Sequence, residues 1–123
     1  MHRLKDYVEG RNPGPHWKEQ LMNERRSDLI VVALAKAKPG KEEDLEQALR
    51  AVASPTRAQP GSIAFSLYRS AHDSTTLIAF ERWASREDHD RRLQGTHERM
   101  LMSAMSGILA EPPQIVEYDI VDE

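Results

Sequence analysis

The chain has 123 residues, 39% of them hydrophobic and 30% charged, a formal net charge of -3 and no cysteine. That length suits one domain with an appendage, able to bury about two-thirds of its unfolded surface without a disulfide or a metal. Thiolate nucleophiles, Cys-ligated zinc, iron–sulfur clusters and disulfides are excluded, and Lys and Arg are scattered rather than gathered into the basic stripe of a nucleic-acid protein.

No apolar run approaches the ~18 residues of a membrane span. The N-terminus carries Arg3, Lys5, Asp6 and Glu9 and has no apolar core of a secretory signal. The default expectation is a cytoplasmic protein with neither a membrane nor a nucleic acid as partner. Residues 1–26 read as an extension outside the main domain. Gly10, Asn12, Pro13, Gly14 and Pro15 break any regular element. His16 to Arg26 suits a short helix with Trp17 and Leu21 on one face, or equally a partly ordered tail.

Residues 27–123 form the domain proper. Leu29 to Ala35 is a β-rich apolar run, stopped by Pro39-Gly40. Lys41 to Val52 places Leu45, Ala48, Leu49 and Val52 at helical spacing, with Glu42, Glu43 and Asp44 at the positive helix end and Pro55 as the stop. Pro60-Gly61 turns into a second strand, Ser62 to Arg69, and His72-Asp73-Ser74 into a third, Thr75 to Trp83. Ser85 caps a short helix through Leu93, and Gly95 interrupts it. Thr96 caps a second helix to about Leu109, with Met100, Leu101, Ala104, Met105, Ile108 and Leu109 on its apolar face. Pro112-Pro113 precedes a fourth strand, Ile115 to Val121. The order β-α-β-β-α-β predicts an α+β protein with the ferredoxin-like split βαβ arrangement and an antiparallel four-stranded sheet.

The first strand is apolar on both faces, with Ile30, Val32 and Leu34 opposed to Val31, Ala33 and Ala35. The third behaves likewise, with Leu77 and Ala79 opposed to Ile78 and Phe80. A sheet with helices on one side only should alternate apolar and polar. A second copy of the chain on the other face accounts for the pattern, giving a homodimer in the form of a dimeric α+β barrel. A monomer whose open face holds a ligand is the rival.

No GxSxG, GxGxxG, P-loop, HExxH or EF-hand loop is present. The histidines at 2, 16, 72, 89 and 97 lack metal-ligand spacing, so no metal is expected. Three constellations remain. Glu81 and Trp83 share a strand face, where they either border a pocket or simply close the core and pair with a basic group. Thr96-His97 at a helix N-terminus suits a neutral histidine that exchanges a proton with a ligand, or a surface cap. Tyr68-Arg69 leaves the second strand beside small neighbours, suiting a hydrogen-bonding pair or a tyrosine at the dimer contact.

From Asp28 to Asp122 the sequence resembles the antibiotic biosynthesis monooxygenase family. The resemblance is carried by Lys38-Pro39-Gly40-Lys41, Gln59-Pro60-Gly61-Ser62, Phe80-Glu81-Arg82-Trp83, Thr96-His97 and Glu111-Pro112-Pro113. It implies small dimeric barrels and oxygenases that use no cofactor: quinol monooxygenases, anthrone oxygenases and haem-degrading relatives. In the cofactor-free members a phenol or enol is deprotonated and its anion passes an electron to O2, so the protein supplies a dry pocket, a base and hydrogen bonds. Trp83 and His97 match pocket positions of the family. The asparagine that two branches carry on the first strand is absent here; Ala33 or a neighbour stands there. Arg92 and Met102 fall near the places of the haem-degrading branch's tryptophan and histidine, and Thr96-His97 is closer to the quinol monooxygenase branch.

The resulting expectation is a homodimeric, cofactor-independent monooxygenase acting on a small hydroxylated aromatic or quinol. His97 is the proton acceptor, Tyr68 and Arg69 steady the anion, and Trp83, Glu81, Phe65 and Met100 line the substrate. The alternatives are a non-catalytic barrel that binds a small apolar ligand, and a structural dimer whose cavity is filled by its own Met and Leu side chains.

Overall fold

Strand β1 (Leu29–Lys36) lies inside a four-stranded sheet, between β3 (Thr76–Trp83) and β4 (Gln114–Asp119), with β2 (Ser62–Arg69) at the far edge beyond β3. The computed structural model describes residues 28–123; the expected N-terminal extension lies outside the described residues. Every pairing is antiparallel, with Val31 opposite Glu81 on one side and Glu117 on the other. Helix α1 (Glu42–Arg57) joins β1 to β2, and α2 (Arg86–Leu93) and α3 (Thr96–Met105) join β3 to β4. This is the ferredoxin-like α+β arrangement.

The helices cover one sheet face. Burial along β3 alternates strictly, with Leu77, Ala79, Glu81 and Trp83 buried and the residues between them half-buried. The covered face meets Leu45, Leu49, Val52 and Ala53 of α1 and Leu101 and Met105 of α3. The other face carries Ile30, Val32, Leu34, Ile78 and Phe80, and among the described residues no helix lies over it. At the edge of that face Val116, Tyr118 and Tyr68 are 43%, 50% and 55% exposed.

Several boundaries differ from expectation. Pro55 lies inside α1 instead of ending it. In the last turn its missing N–H forfeits one bond, and the helix closes through Ala58 N–H to the Ser54 oxygen and Gln59 N–H to the Thr56 oxygen, while Arg57 Nε donates to the Phe65 carbonyl at 3.0 Å. Helix α3 stops at Met105, short of Leu109. Gly107 follows, and Leu109 instead bridges to Ala37 while Lys38 N–H donates to the Ile108 carbonyl. Gly95, not Thr96, caps that helix. Ser85 does cap α2, its hydroxyl accepting from Asp88 N–H at 3.1 Å. Gly61 sets the height of α2 over the sheet: its φ is +85°, and a Cβ there would lie 2.2 Å from the Asp88 side chain.

No helix among the described residues is long and apolar enough to cross a membrane.

Candidate functional site

The floor of the helix-covered sheet is built from small residues. Ala33 and Ala35 on β1 and Ala79 on β3 leave space beneath α2 and α3, and the result is a cavity of about 50 Å³. Phe65, Leu49, Leu101 and Met105 supply apolar walls. Leu93, Met102 and Ile115 border the cavity while remaining 38%, 45% and 52% exposed, so they form its rim. Space of this size holds a few waters; a ring-sized guest requires the rim to part.

Four ionisable side chains also border the cavity: Glu81 from β3, His89 and Arg92 from α2, and Glu98 from α3. Helix α2 has the sequence Arg-Glu-Asp-His-Asp-Arg-Arg-Leu, and the residues it buries are His89 and Arg92. They stand three apart, one turn of helix, and so share a face. Burying polar groups is costly unless they are paired. Arg92 Nη1 donates to Glu98 Oε1 at 2.7 Å, and its guanidinium sits 5.9 Å from the centroid of the Phe65 ring. Trp83 Nε1 donates to Glu81 Oε1 at 2.8 Å, and the same oxygen lies 3.9 Å from His89 Nε2. Among the described residues, two nitrogens of this group are buried without a hydrogen-bond partner, His89 Nδ1 and Arg92 Nε.

Burial holds the His89 imidazole below its ordinary value of 6.5 by disfavouring the charged ring; Glu81 opposes this and Arg92 adds to it. The imidazole is therefore neutral near pH 7 and has a lone pair to offer. A neutral base and a guanidinium side by side in an apolar cavity can take a proton from a hydroxyl and then steady the resulting oxyanion.

The residues singled out in the sequence scatter. Phe65 and Glu81 border the cavity. Trp83 is fully buried behind it, packed with Leu29 and Val31, and reaches the site through Glu81. His97 is exposed in the first turn of α3 and is not among the cavity's lining residues. Met100 is 61% exposed on the outer face of α3, where Leu101 and Met105 take the inward positions. Tyr68 lies on the uncovered sheet face. Arg69 pairs with Glu46, and both residues border a separate surface groove with Arg50. Tyr68 borders that groove too, so the structure brings Tyr68 and Arg69 together and leaves His97 apart from them. His89 and Arg92 were missed because α2 shows no apolar stripe, Leu93 being its sole apolar residue. Their spacing of three was the available signal.

Comparison with known proteins agrees with this architecture. Residues 28–101 match the family model described as antibiotic biosynthesis monooxygenase. A protein of Mycobacterium tuberculosis named "Putative monooxygenase Rv0793" is 30% identical over 97 residues, covering 79% of this chain and 95% of that one. Its solved structure superposes with a TM-score of 0.74. The crystal structure of PA3566 from Pseudomonas aeruginosa gives a TM-score of 0.75 at 26% identity, covering 80% of this chain and 98% of that one. The uncharacterized protein sll1783 of Synechocystis is 27% identical over 94 residues, 76% of this chain; the match spans 64% of that protein's length.

Proposed function

The chain belongs to the antibiotic biosynthesis monooxygenase family, and from that premise we propose that it is a cofactor-independent monooxygenase of a small hydroxylated aromatic, with its reaction centre in the cavity beneath α2 and α3. The single observation that carries this reading is the placement of His89 and Arg92. Both border the cavity, both are more than nine-tenths buried, and each has a nitrogen without a hydrogen-bond partner among the described residues.

The neutral His89 imidazole accepts the phenolic proton. Arg92 donates to the oxygen left behind and favours the anion. Phe65 and the alanine floor hold the ring flat between sheet and helix. The electron-rich anion passes an electron to O2, the two radicals join at a ring carbon as a peroxide, and loss of water leaves a carbonyl. One oxygen atom ends in the quinone and the other in water, and the substrate supplies every electron. Exclusion of water protects the intermediates, a task suited to walls that are mostly apolar.

The active form is a homodimer joined through the uncovered sheet face. That face is apolar where it should be polar, with Ile30, Val32, Ile78, Phe80, Val116 and Tyr118 on it. Oxygen uptake with a panel of quinols and phenols tests the activity. Uptake is expected with at least one of them and a large loss in His89→Gln; no uptake above the buffer rate with any removes the claim. A phenol that raises the melting temperature without turnover would instead favour a non-catalytic ligand-binding barrel.

A further inference from the structure

We infer that Glu81 is a positioning residue: its carboxylate, aimed by the Trp83 N–H, keeps the imidazole proton of His89 on Nε2 and leaves the Nδ1 lone pair to meet the substrate. This rests on the reading of His89 as the proton acceptor.

Glu81 is a carboxylate on the buried face of a central strand, 3% exposed, where a charge without a task would be a liability. Its orientation is fixed from behind. The Trp83 indole can only donate, it is fully buried against Leu29 and Val31, and its N–H lies 2.8 Å from Glu81 Oε1. The two residues share a strand face by the period of two. The oxygen so fixed lies 3.9 Å from His89 Nε2, longer than a direct hydrogen bond but well within electrostatic reach. Nδ1 has no partner. A proton on the ring is therefore held at the nitrogen beside the negative charge. The Trp83 ring, with its centroid 5.7 Å from that of the imidazole and tilted by 51°, packs beside the imidazole and hinders its rotation.

The charges acting on His89 come from three elements: Glu81 on β3, Glu117 on β4, and Arg92 and Asp90 on α2, with Glu81 the strongest of them. When Nδ1 accepts the substrate proton, the imidazolium forms opposite Glu81, which lowers the cost of carrying that charge in a dry cavity. Glu81 thus selects the free nitrogen before the transfer and supports the product of it, without touching the substrate.

Nitrogen NMR of the full-length protein labelled at histidine, with His89 assigned by its loss in His89→Gln, reads the tautomer and the protonation midpoint directly. The wild type is expected to show the Nε2–H form at neutral pH. Glu81→Gln keeps an oxygen for the Trp83 N–H, so it should fold; its midpoint should fall further, and kcat should drop about tenfold or more with KM changed less than about twofold. An Nδ1–H tautomer in the wild type overturns the inference. So does a Glu81→Gln protein with unchanged midpoint and kcat. If Glu81→Gln does not fold, the wild-type tautomer decides alone. An Nε2–H form that responds to Glu81→Gln in a protein that consumes no oxygen would sink the monooxygenase reading and leave the positioning role in place.

Discussion

Each face of the sheet departs from the usual arrangement in its own way. The face under the helices holds Glu81, together with His89 and Arg92 that reach down to it, all at least nine-tenths buried. The face without helices carries Ile30, Val32, Ile78 and Phe80. A fold shaped by its own stability alone would place charge outside and apolar side chains inside. The covered face holds the main apolar core and, beside it, a polar cluster around a cavity. The open face exposes apolar surface, which is what a partner demands. One sheet of four strands serves both purposes because alternate residues along a strand are independent of each other.

The largest effects should come from charging either face. Ile78→Asp places a carboxylate in the middle of the open face, and Val31→Asp places one under the helices, where Val31 is 1% exposed. Val31→Asp should not fold. Ile78→Asp should give aggregated or unfolded protein if the open face is an obligate interface, since obligate dimers of this size often lack a stable monomer. Size-exclusion chromatography with circular dichroism distinguishes the cases. A well-folded Ile78→Asp monomer would show that the face needs no partner and would break the comparison.

Next in size is the chemistry of the covered face. His89→Gln should reduce turnover on the order of 10²-fold or more, the usual effect of losing a general base. Arg92→Gln should act in the same direction, and because it also leaves Glu98 without its guanidinium at 2.7 Å, it should lower the melting temperature as well. Rate and melting temperature measured on the same two variants separate a catalytic loss from a folding loss.

The fold was legible because strand and helix periods are local. Apolar runs bounded by Pro39-Gly40 and Pro60-Gly61 mark β1 and β2, and the spacing of Leu45, Leu49 and Val52 marks α1. The unusual apolar character of both faces of β1 and β3 was visible too, since it needs only the period of two. The site was not legible in the same way. Helix α2 turns His89 and Arg92 inward with Leu93 as its sole apolar residue, too little to mark the inward side, and only the docking of α2 on β3 shows it. Met100 illustrates the converse: an apolar residue assigned to a helix face that the fold turns outward. Glu81 and Trp83 were rightly placed together on one face, yet their hydrogen bond depends on side-chain torsions that no pattern encodes.

A smaller effect follows from pH. His89 is held below 6.5 in the folded protein by burial, with Glu81 partly opposing. Below 6.5 the unfolded chain takes up a proton that the folded chain refuses, so stability falls as pH drops from 6.5 to the folded value, then levels off. Above 6.5 both states are neutral at this position and the contribution is constant. The melting temperature should therefore decline as the pH falls below about 6.5, and His89→Gln should flatten the part of that decline due to this residue. Turnover, which needs the neutral ring, should persist below pH 6.5 for the same reason. An activity midpoint above 6.5 would point to a base outside the buried cluster.

The smallest expected effect is that of His97→Ala, and it bears on how the family pattern is applied to this chain. Motif order alone makes His97 the proton acceptor, since Thr96-His97 occupies a pocket position of the resembling family. In the structure His97 is exposed, stands in the first turn of α3, and is absent from the cavity's lining. Gly95 caps the helix through its backbone, so the cap does not use the neighbouring side chains. Truncating an exposed first-turn side chain typically costs within about 0.5 kcal/mol, and a group that does not reach the cavity has no route to the phenolic proton. His97→Ala should then keep its melting temperature and its oxygen uptake within about twofold of the wild type. A loss on the order of 10²-fold with the melting temperature unchanged would restore His97 as the base. It would also mean that the first turn of α3 moves inward when substrate binds.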